Sequence, residues 1–281
     1  MTGRLARRRH RLGWSRGALL LACGLFPLLS RTAALLPPPP IAQSGAMPEI
    51  ALIIDDMGSR LDVGRQVLRL PGPVACAYLP FAPHTPALAR LAHDRNKEVL
   101  LHLPMQSMEG AAMDVGGVTL DMTEQQLTRT LKAALARVPH VVGLNNHQGS
   151  LLTRHPGHML WLMRALRADR RLYFVDSRTT KYTVARQIAY ENRVPSISRD
   201  VFLDADPLPA AVEREFKRLL DLARRNGSAV AIGHPQPATL ALLARELPRL
   251  SSRHGAKLVP VARLVQRQQE RDSLWRASWS P

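Results

Sequence analysis

Short apolar runs rich in β-branched residues recur along the chain, and helical patterns fill the gaps between them. The runs lie at residues 50–54, 74–79, 98–101, 141–144, 172–175, 196–198, 229–232 and 257–259. The helical patterns cover about 59–70, 85–96, a segment opening on Thr123-Glu124-Gln125-Gln126 as a capping box, 156–169, 180–192, 210–225 and 238–250. A strand buried on both faces reads as a continuous apolar run, and strands separated by helices pair in parallel. Seven or eight such repeats suit a barrel better than an open sheet. The expected fold is therefore α/β, a distorted (β/α) barrel with about seven parallel strands. A 281-residue chain holds one such domain comfortably. The domain is expected over residues 47–265, with a polar tail at 266–281.

The first 46 residues have a different composition. Six arginines by position 16 precede an apolar core at 17–29, followed by small residues and four prolines at 37–40. That order reads as a secretory signal, with Thr32-Ala33-Ala34 and Ser44-Gly45-Ala46 as candidate cleavage sites. The rival reading is an uncleaved anchor that tethers the protein to the membrane through residues 17–29, although thirteen residues are short for a span. Either way the expected location is outside the cytoplasm, periplasmic or on the outer face of the inner membrane. Residues 36–47 read as a stiff Pro, Ala and Gly-rich linker.

The net charge of +17 is divided unevenly. Seven arginines and no acid lie in residues 1–48, so residues 49–281 hold 32 basic against 22 acidic residues, a net +10. The remaining charge is scattered along helical segments, and aromatic residues make up only 5% of the chain, so no nucleic-acid partner is expected. A basic surface still favours an anionic partner such as a polyanionic envelope. Of the two cysteines, Cys23 lies in the apolar N-terminal stretch and Cys76 in a core run, so neither is expected in a disulfide or a metal site.

Polar residues capable of chemistry follow closely on the apolar runs: Asp55 and Asp56, His102, Asn146 and His147, Asp176, Arg199 and Asp200, and His234. In a parallel barrel all these strand ends face one side, so the residues converge on one rim. Six other histidines, His84, His93, His140, His155, His158 and His254, fall in loops or helices, away from strand ends. One carboxylate and two imidazoles in a cleft make a first-row divalent metal site with open positions, and zinc is the expected ion. The expected ligands are Asp56, His102 and His147. Asp55 is then free to act as general base and His234 as general acid, the pair that amide hydrolysis needs. For Asp55 and Asp56 to serve one site the chain must already be turning, which Gly58 permits. Asp176 either orients a histidine or caps the turn after it. Arg199 and Asp200 either pair and orient Asp55 or form a plain ion pair, and Asn145 and Asn146 either donate to substrate or shape the turn before Gly149. The loop at 103–122 is long enough to be expected as a wall or lid of the site.

These motifs carry a resemblance. Ile53-Ile54-Asp55-Asp56-Met57-Gly58, residues 97–105 around His102, residues 143–150 around Asn146-His147, Phe174-Val175-Asp176-Ser177 and Gly233-His234-Pro235 together resemble the divergent polysaccharide deacetylase family, over residues 48–265. The resemblance implies a barrel of the glycoside hydrolase/deacetylase type. It also implies a base at Asp55, a metal ligand at Asp56 and an acid at His234. The chain departs from the mainstream pattern in two places. That pattern has two metal histidines four residues apart, whereas Gln106 stands four residues after His102, so His147 must supply the second imidazole from another strand. The mainstream arginine and proline motif is also missing, and Asn146-His147 stands near its place. The expected function is an exported hydrolase removing acetyl from an N-acetylated envelope sugar. The alternative is a non-catalytic glycan-binding or envelope-assembly protein on the same fold.

Overall fold

The computed structural model describes residues 46–278 apart from 109, 111 and 170. Residues 1–45, which carry the export-signal reading, Cys23 and nearly all of the linker, lie outside the described residues, as do 279–281 of the expected tail. Among the described residues no helix is long and apolar enough to cross a membrane.

Among the described residues nine strands, all parallel, form one sheet: β1 (Glu49–Met57), β2 (Ala75–Tyr78), β3 (Val99–Met105), β4 (Val141–Gln148), β5 (Tyr173–Asp176), β6 (Ser196–Ser198), β7 (Val201–Phe202), β8 (Ser228–Gly233) and β9 (Lys257–Leu258). Helices α1 (Leu61–Val67), α2 (Thr85–Asp94), α3 (Glu124–Arg137), α4 (Pro156–Ala168), α5 (Ala185–Glu191), α6 (Pro209–Asn226), α7 (Pro237–Glu246), α8 (Leu250–His254) and α9 (Val261–Ser278) connect or follow them. The capping box is formed as expected, with Thr123 and Gln126 bonding reciprocally at the start of α3.

The strand order is β6-β5-β4-β3-β2-β1-β8-β7, with β9 added beside β1. The edges β6 and β7 are consecutive in the chain, separated only by Arg199 and Asp200. Eight strands laid flat would span roughly 34 Å at about 4.8 Å each. Three peptide steps, from Ser198 to Val201, reach about 11 Å. The sheet therefore has to curl, and it forms a half-barrel of the expected (β/α) type.

Alternation along the strands sorts the core into two clusters. Ile50, Leu52 and Ile54 of β1, Cys76 and Tyr78 of β2, and Leu101 and Leu103 of β3 pack outward against the helices. Ala51 and Ile53, Ala75 and Ala77, Leu100, Val230 and Ile232 fill the interior. Burial pushes the Cys76 thiol up to about 12, which leaves it an inert core residue.

Two expectations are corrected by the fold. His102 and His147 do not follow their strands but lie inside them, because β3 and β4 run several residues past their apolar stretches. Backbone pairing is indifferent to side-chain polarity, so the ladder continues through His102↔Asn145 and Pro104↔His147. The polar segment after 265 is also not a tail over its described part. Residues 266–278 continue α9, whose Val261, Leu264 and Val265 enter the interior cluster and close the lower end of the barrel.

Candidate active site

The β1 alternation places Asp55 on the inner face, two residues beyond Ile53. Asp56 belongs by parity to the outer face. It reaches the same rim because its own backbone turns: φ is +55°, and the β1–β2 register slips between Ile54 and Met57. Aspartate is one of the few side chains that tolerate this left-handed region. The turning residue is thus Asp56 itself, ahead of Gly58.

Around Asp56 the ligand atoms stand close together. His147 Nδ1 lies 3.0 Å from Asp56 Oδ1, His102 Nε2 lies 3.3 Å from the same oxygen, and the two nitrogens are 3.0 Å apart. His102 and His147 meet because they occupy the same face of adjacent strands, one step apart diagonally in the register. Asp55 Oδ2 is 3.6 Å from His102 Nε2, and His234 Nε2 is 3.7 Å from Asp56 Oδ2.

Each histidine is aimed by an oxygen acceptor on its far nitrogen. Asn145 Nδ2 donates to both Asp55 oxygens, at 2.8 and 3.1 Å, which turns its Oδ1 toward His102 Nδ1 at 2.8 Å. The His102 proton therefore sits on Nδ1, and in the neutral ring the Nε2 lone pair faces Asp56. His147 Nε2 lies 3.1 Å from Asp114 Oδ2, which leaves Nδ1 facing the same point. His234 Nδ1 lies 2.9 Å from Asp204 Oδ1. Asp204 is itself fixed, since its Oδ2 accepts from the His234 N–H and from Thr239 Oγ1, both at 2.7 Å. Carboxylate or amide oxygens behind metal-ligating histidines fix tautomer and direction in just this way.

The electrostatics separate the two acids. Burial pushes the Asp55 carboxyl up, against the charges of His102 and His234 and the Asn145 amide. Burial also opposes ionisation of Asp56, but the close imidazoles of His102 and His147 outweigh it and hold that carboxyl well below the usual range. His102 is drawn down by burial and, on balance, raised by Asp55 and Asp56. His234 is likewise raised, because the Asp204 bond and charge outweigh its burial. The rim thus holds one carboxyl disposed to take up a proton beside one disposed to stay ionised.

Asp56, His102 and His147 make a set that could hold a metal ion. Donor atoms at bonds of about 2.0–2.2 Å stand roughly 3.0–3.5 Å apart in octahedral or tetrahedral arrangement, the spacing found here. Asp56 Oδ1 is buried without a hydrogen-bond partner among the described residues. With both imidazoles neutral, two lone pairs and this oxygen point at one spot, and a divalent cation there would satisfy all three. The residues fit the group.

The other expected site residues have different roles. Asn146 faces away from the rim: its Oδ1 accepts from the Ser177 N–H and its Nδ2 donates to the Gln148 carbonyl, so it shapes the turn and does not meet substrate. Asp176 orients no histidine, because outward parity sends its carboxylate to the Arg178 N–H and the Thr183 hydroxyl. Arg199 and Asp200 form no ion pair with each other among the described residues. Arg199 donates to the carbonyls of Ser177 and Arg178, and Asp200 accepts from the Val230 N–H, so the two tie the sheet edges together. Asn145, Asp114 and Asp204 are the residues that sequence reasoning missed or left undecided. Asn145 was legible from strand parity with His147. Asp204 follows Val201-Phe202-Leu203, an apolar run ending in an acid. Asp114, in the loop between β3 and α3, had no local signal. That loop does wall the site, as expected, through its contact with His147.

Two bacterial proteins are similar in sequence to this chain. An uncharacterized protein of Haemophilus influenzae is 38% identical over 207 residues, covering 74% of each chain. The uncharacterized protein YibQ of Escherichia coli is 40% identical over 195 residues, covering 69% of this chain and 61% of that protein. The fold recurs in the crystal structure of an uncharacterized protein from Agrobacterium tumefaciens C58, with a TM-score of 0.74 at 20% identity over 80% of this chain and 92% of that one. The family profile of divergent polysaccharide deacetylases matches residues 52–265. That span takes in every residue from Asp55 to His234 that the rim brings together, so the domain built around the site is the domain that the profile describes: the chain belongs to the divergent polysaccharide deacetylase family.

Proposed function

We propose that the protein is an exported, metal-dependent hydrolase that removes acetyl from an N-acetylated sugar of the cell envelope. The observation that carries this reading is Asp55, a buried carboxylate that stands beside the possible metal ligands without being one of them. A protein that only binds glycan has no need of it.

A divalent cation held by Asp56, His102 and His147, with zinc as the expected ion, would supply a Lewis acid for the acetamide carbonyl and lower the pKa of a water. Asp55 takes the proton from the water that attacks the acetyl carbon, and its burial favours proton uptake. The Asn145 amide, on both carboxylate oxygens, fixes the direction in which Asp55 accepts. His234, whose pKa the Asp204 bond and charge raise, gives its Nε2 proton to the departing amine nitrogen. Acetate and a free amino sugar result. The apolar core at 17–29 behind six arginines supports export, as a cleaved signal or a membrane tether.

The test is acetate release by the full chain, loaded in turn with zinc, cobalt or manganese, from a panel of N-acetylated glycans. Turnover of at least one substrate is expected, and Asp55→Asn should keep its metal while losing turnover. If no acetylated glycan is cleaved in any metal-loaded form, the reading gives way to a non-catalytic glycan-binding protein.

A further inference from the structure

A groove of about 450 Å³ opens beside the rim, between the turn after β5, the β6–β7 crossing and the first turns of α6. Phe202 joins it to the catalytic centre. Its ring meets His234 edge-on, with centroids 5.2 Å apart, and the Arg199 guanidinium lies 5.0 Å above the same ring. Phe202 lines the groove itself, so the groove begins one ring contact from the proposed proton donor, near enough for one glycan chain to occupy both.

Its charges are unevenly satisfied. The acids are engaged: Asp200 accepts from the Val230 N–H, Asp206 accepts from the Leu208 N–H, and Glu215 pairs with Arg218. Arg178, Lys181 and Arg214 also line the groove, and among the described residues none of them lies within ion-pair distance of a carboxylate. Arg199 is fixed in place by the Ser177 and Arg178 carbonyls, so one cation of the cluster is pre-set. Burial first, and then the neighbouring Arg178 guanidinium, push Arg199 below its ordinary pKa, against the opposing charges of Asp176 and Asp55. Guanidiniums in a partly enclosed site take carboxylate and phosphate groups by paired N–H donors.

We infer that this groove is a subsite for an anionic group, a carboxylate or a phosphate, carried by the same glycan chain whose acetamide lies at the rim. The substrate class is then an acidic polysaccharide, not a neutral one. Placing the acetamide at the rim rests on the deacetylase reading, whereas anion binding in the groove does not.

The experiment uses the full chain, metal-loaded and carrying Asp55→Asn so that ligand survives, in binding calorimetry. Three oligosaccharides of equal length are compared: neutral N-acetylglucosamine, N-acetylglucosamine alternating with glucuronic acid, and a phosphate-bearing N-acetylglucosamine oligomer. At least one anionic ligand is expected to bind tenfold or more tightly than the neutral one, and which of the two does so tells carboxylate from phosphate. Adding Arg178→Gln and Arg214→Gln, both exposed, should return anionic binding to the neutral level without changing neutral binding or the melting temperature. Lys132→Gln with Arg225→Gln, an equal change in net charge on remote surface, should leave the preference intact. The inference is overturned if neutral and anionic ligands bind alike, if neither binds, or if the Arg178/Arg214 variant keeps the preference. Acetate release by the wild type without anion preference sinks the subsite and leaves the deacetylase standing. Arginine-dependent anion preference without acetate release from any substrate does the reverse.

Discussion

β1 and β3 carry acids or imidazoles at both ends, and the two ends of the barrel treat them differently. At the lower end, Glu49 at the start of β1 is paired with Arg263 and Arg267 of α9, while Glu98, just before β3, accepts from the first N–H groups of the same helix. Each of these four carboxylate oxygens accepts from a donor that the chain itself brings. At the upper end, Asp55, Asp56 and His102 face each other and His147, and one buried Asp56 oxygen has no hydrogen bond among the described residues. The lower carboxylates are closed off by α9 and serve to lock the barrel floor. Of the upper ones Asp55 is buried, and Asp56 is left open toward solvent, about a third exposed at its side chain (36%). Glu49 and Glu98, whose oxygens are taken by donors of the chain, serve the fold, whereas Asp56, with a buried oxygen that lacks a hydrogen bond among the described residues, is left for a ligand.

The sharpest way to break the contrast is to remove an upper ligand. Asp56→Ala or His102→Ala is expected to abolish metal uptake and turnover, and for Asp56→Ala the melting temperature of the metal-free protein stays level or rises, since a buried oxygen without a hydrogen bond has been removed. Metal analysis beside a thermal melt checks both halves. Asp55→Asn comes next, with metal retained and turnover lowered by about 10²–10⁴-fold.

Asp204→Asn probes the layer behind the histidines and should cost about 10–100-fold in turnover. It should also move the pH–rate profile. The Asp204 charge raises the His234 pKa, so without it His234 loses its proton at lower pH, and the alkaline limb of kcat/KM shifts downward. An unshifted limb would show that His234 is not the acid. The smallest effect is expected at the floor. Glu98→Gln weakens the hold on the α9 N-terminus and should cost about 1–3 kcal/mol of stability while metal content is unchanged. Metal loss in that variant would mean that the two ends are coupled and that the contrast is false.

Much of the site was written in the sequence because a buried parallel strand announces itself as an apolar run, and the first polar residue after the run marks the rim. Asp55, Asp56, His102, His147 and His234 were all found that way, and the structure brings them together. The same rule overreached at Asp176, Asn146, Arg199 and Asp200. Proximity to a strand end puts a residue near the rim, but strand parity and local turns decide which way it faces, and these four turn to backbone groups or to the adjoining turn. The rule also fell short at α9, where polar composition masked a helix whose few apolar residues, Val261, Leu264 and Val265, share one face.

The sequence alone determined the strand–helix alternation, the parallel sheet and the set of side chains available to one rim, because hydrophobic periodicity and the direction of parallel strands are local or topological properties. Only the tertiary structure decided which oxygen stands behind each histidine. Asp114 reaches His147 from a loop, Asn145 reaches Asp55 from three strands away, and Asp204 reaches His234 across 30 residues of chain. Such partners are chosen by where the folded backbone delivers a side chain to within about 3 Å, and hydrogen bonding of that reach leaves no period in the sequence to read.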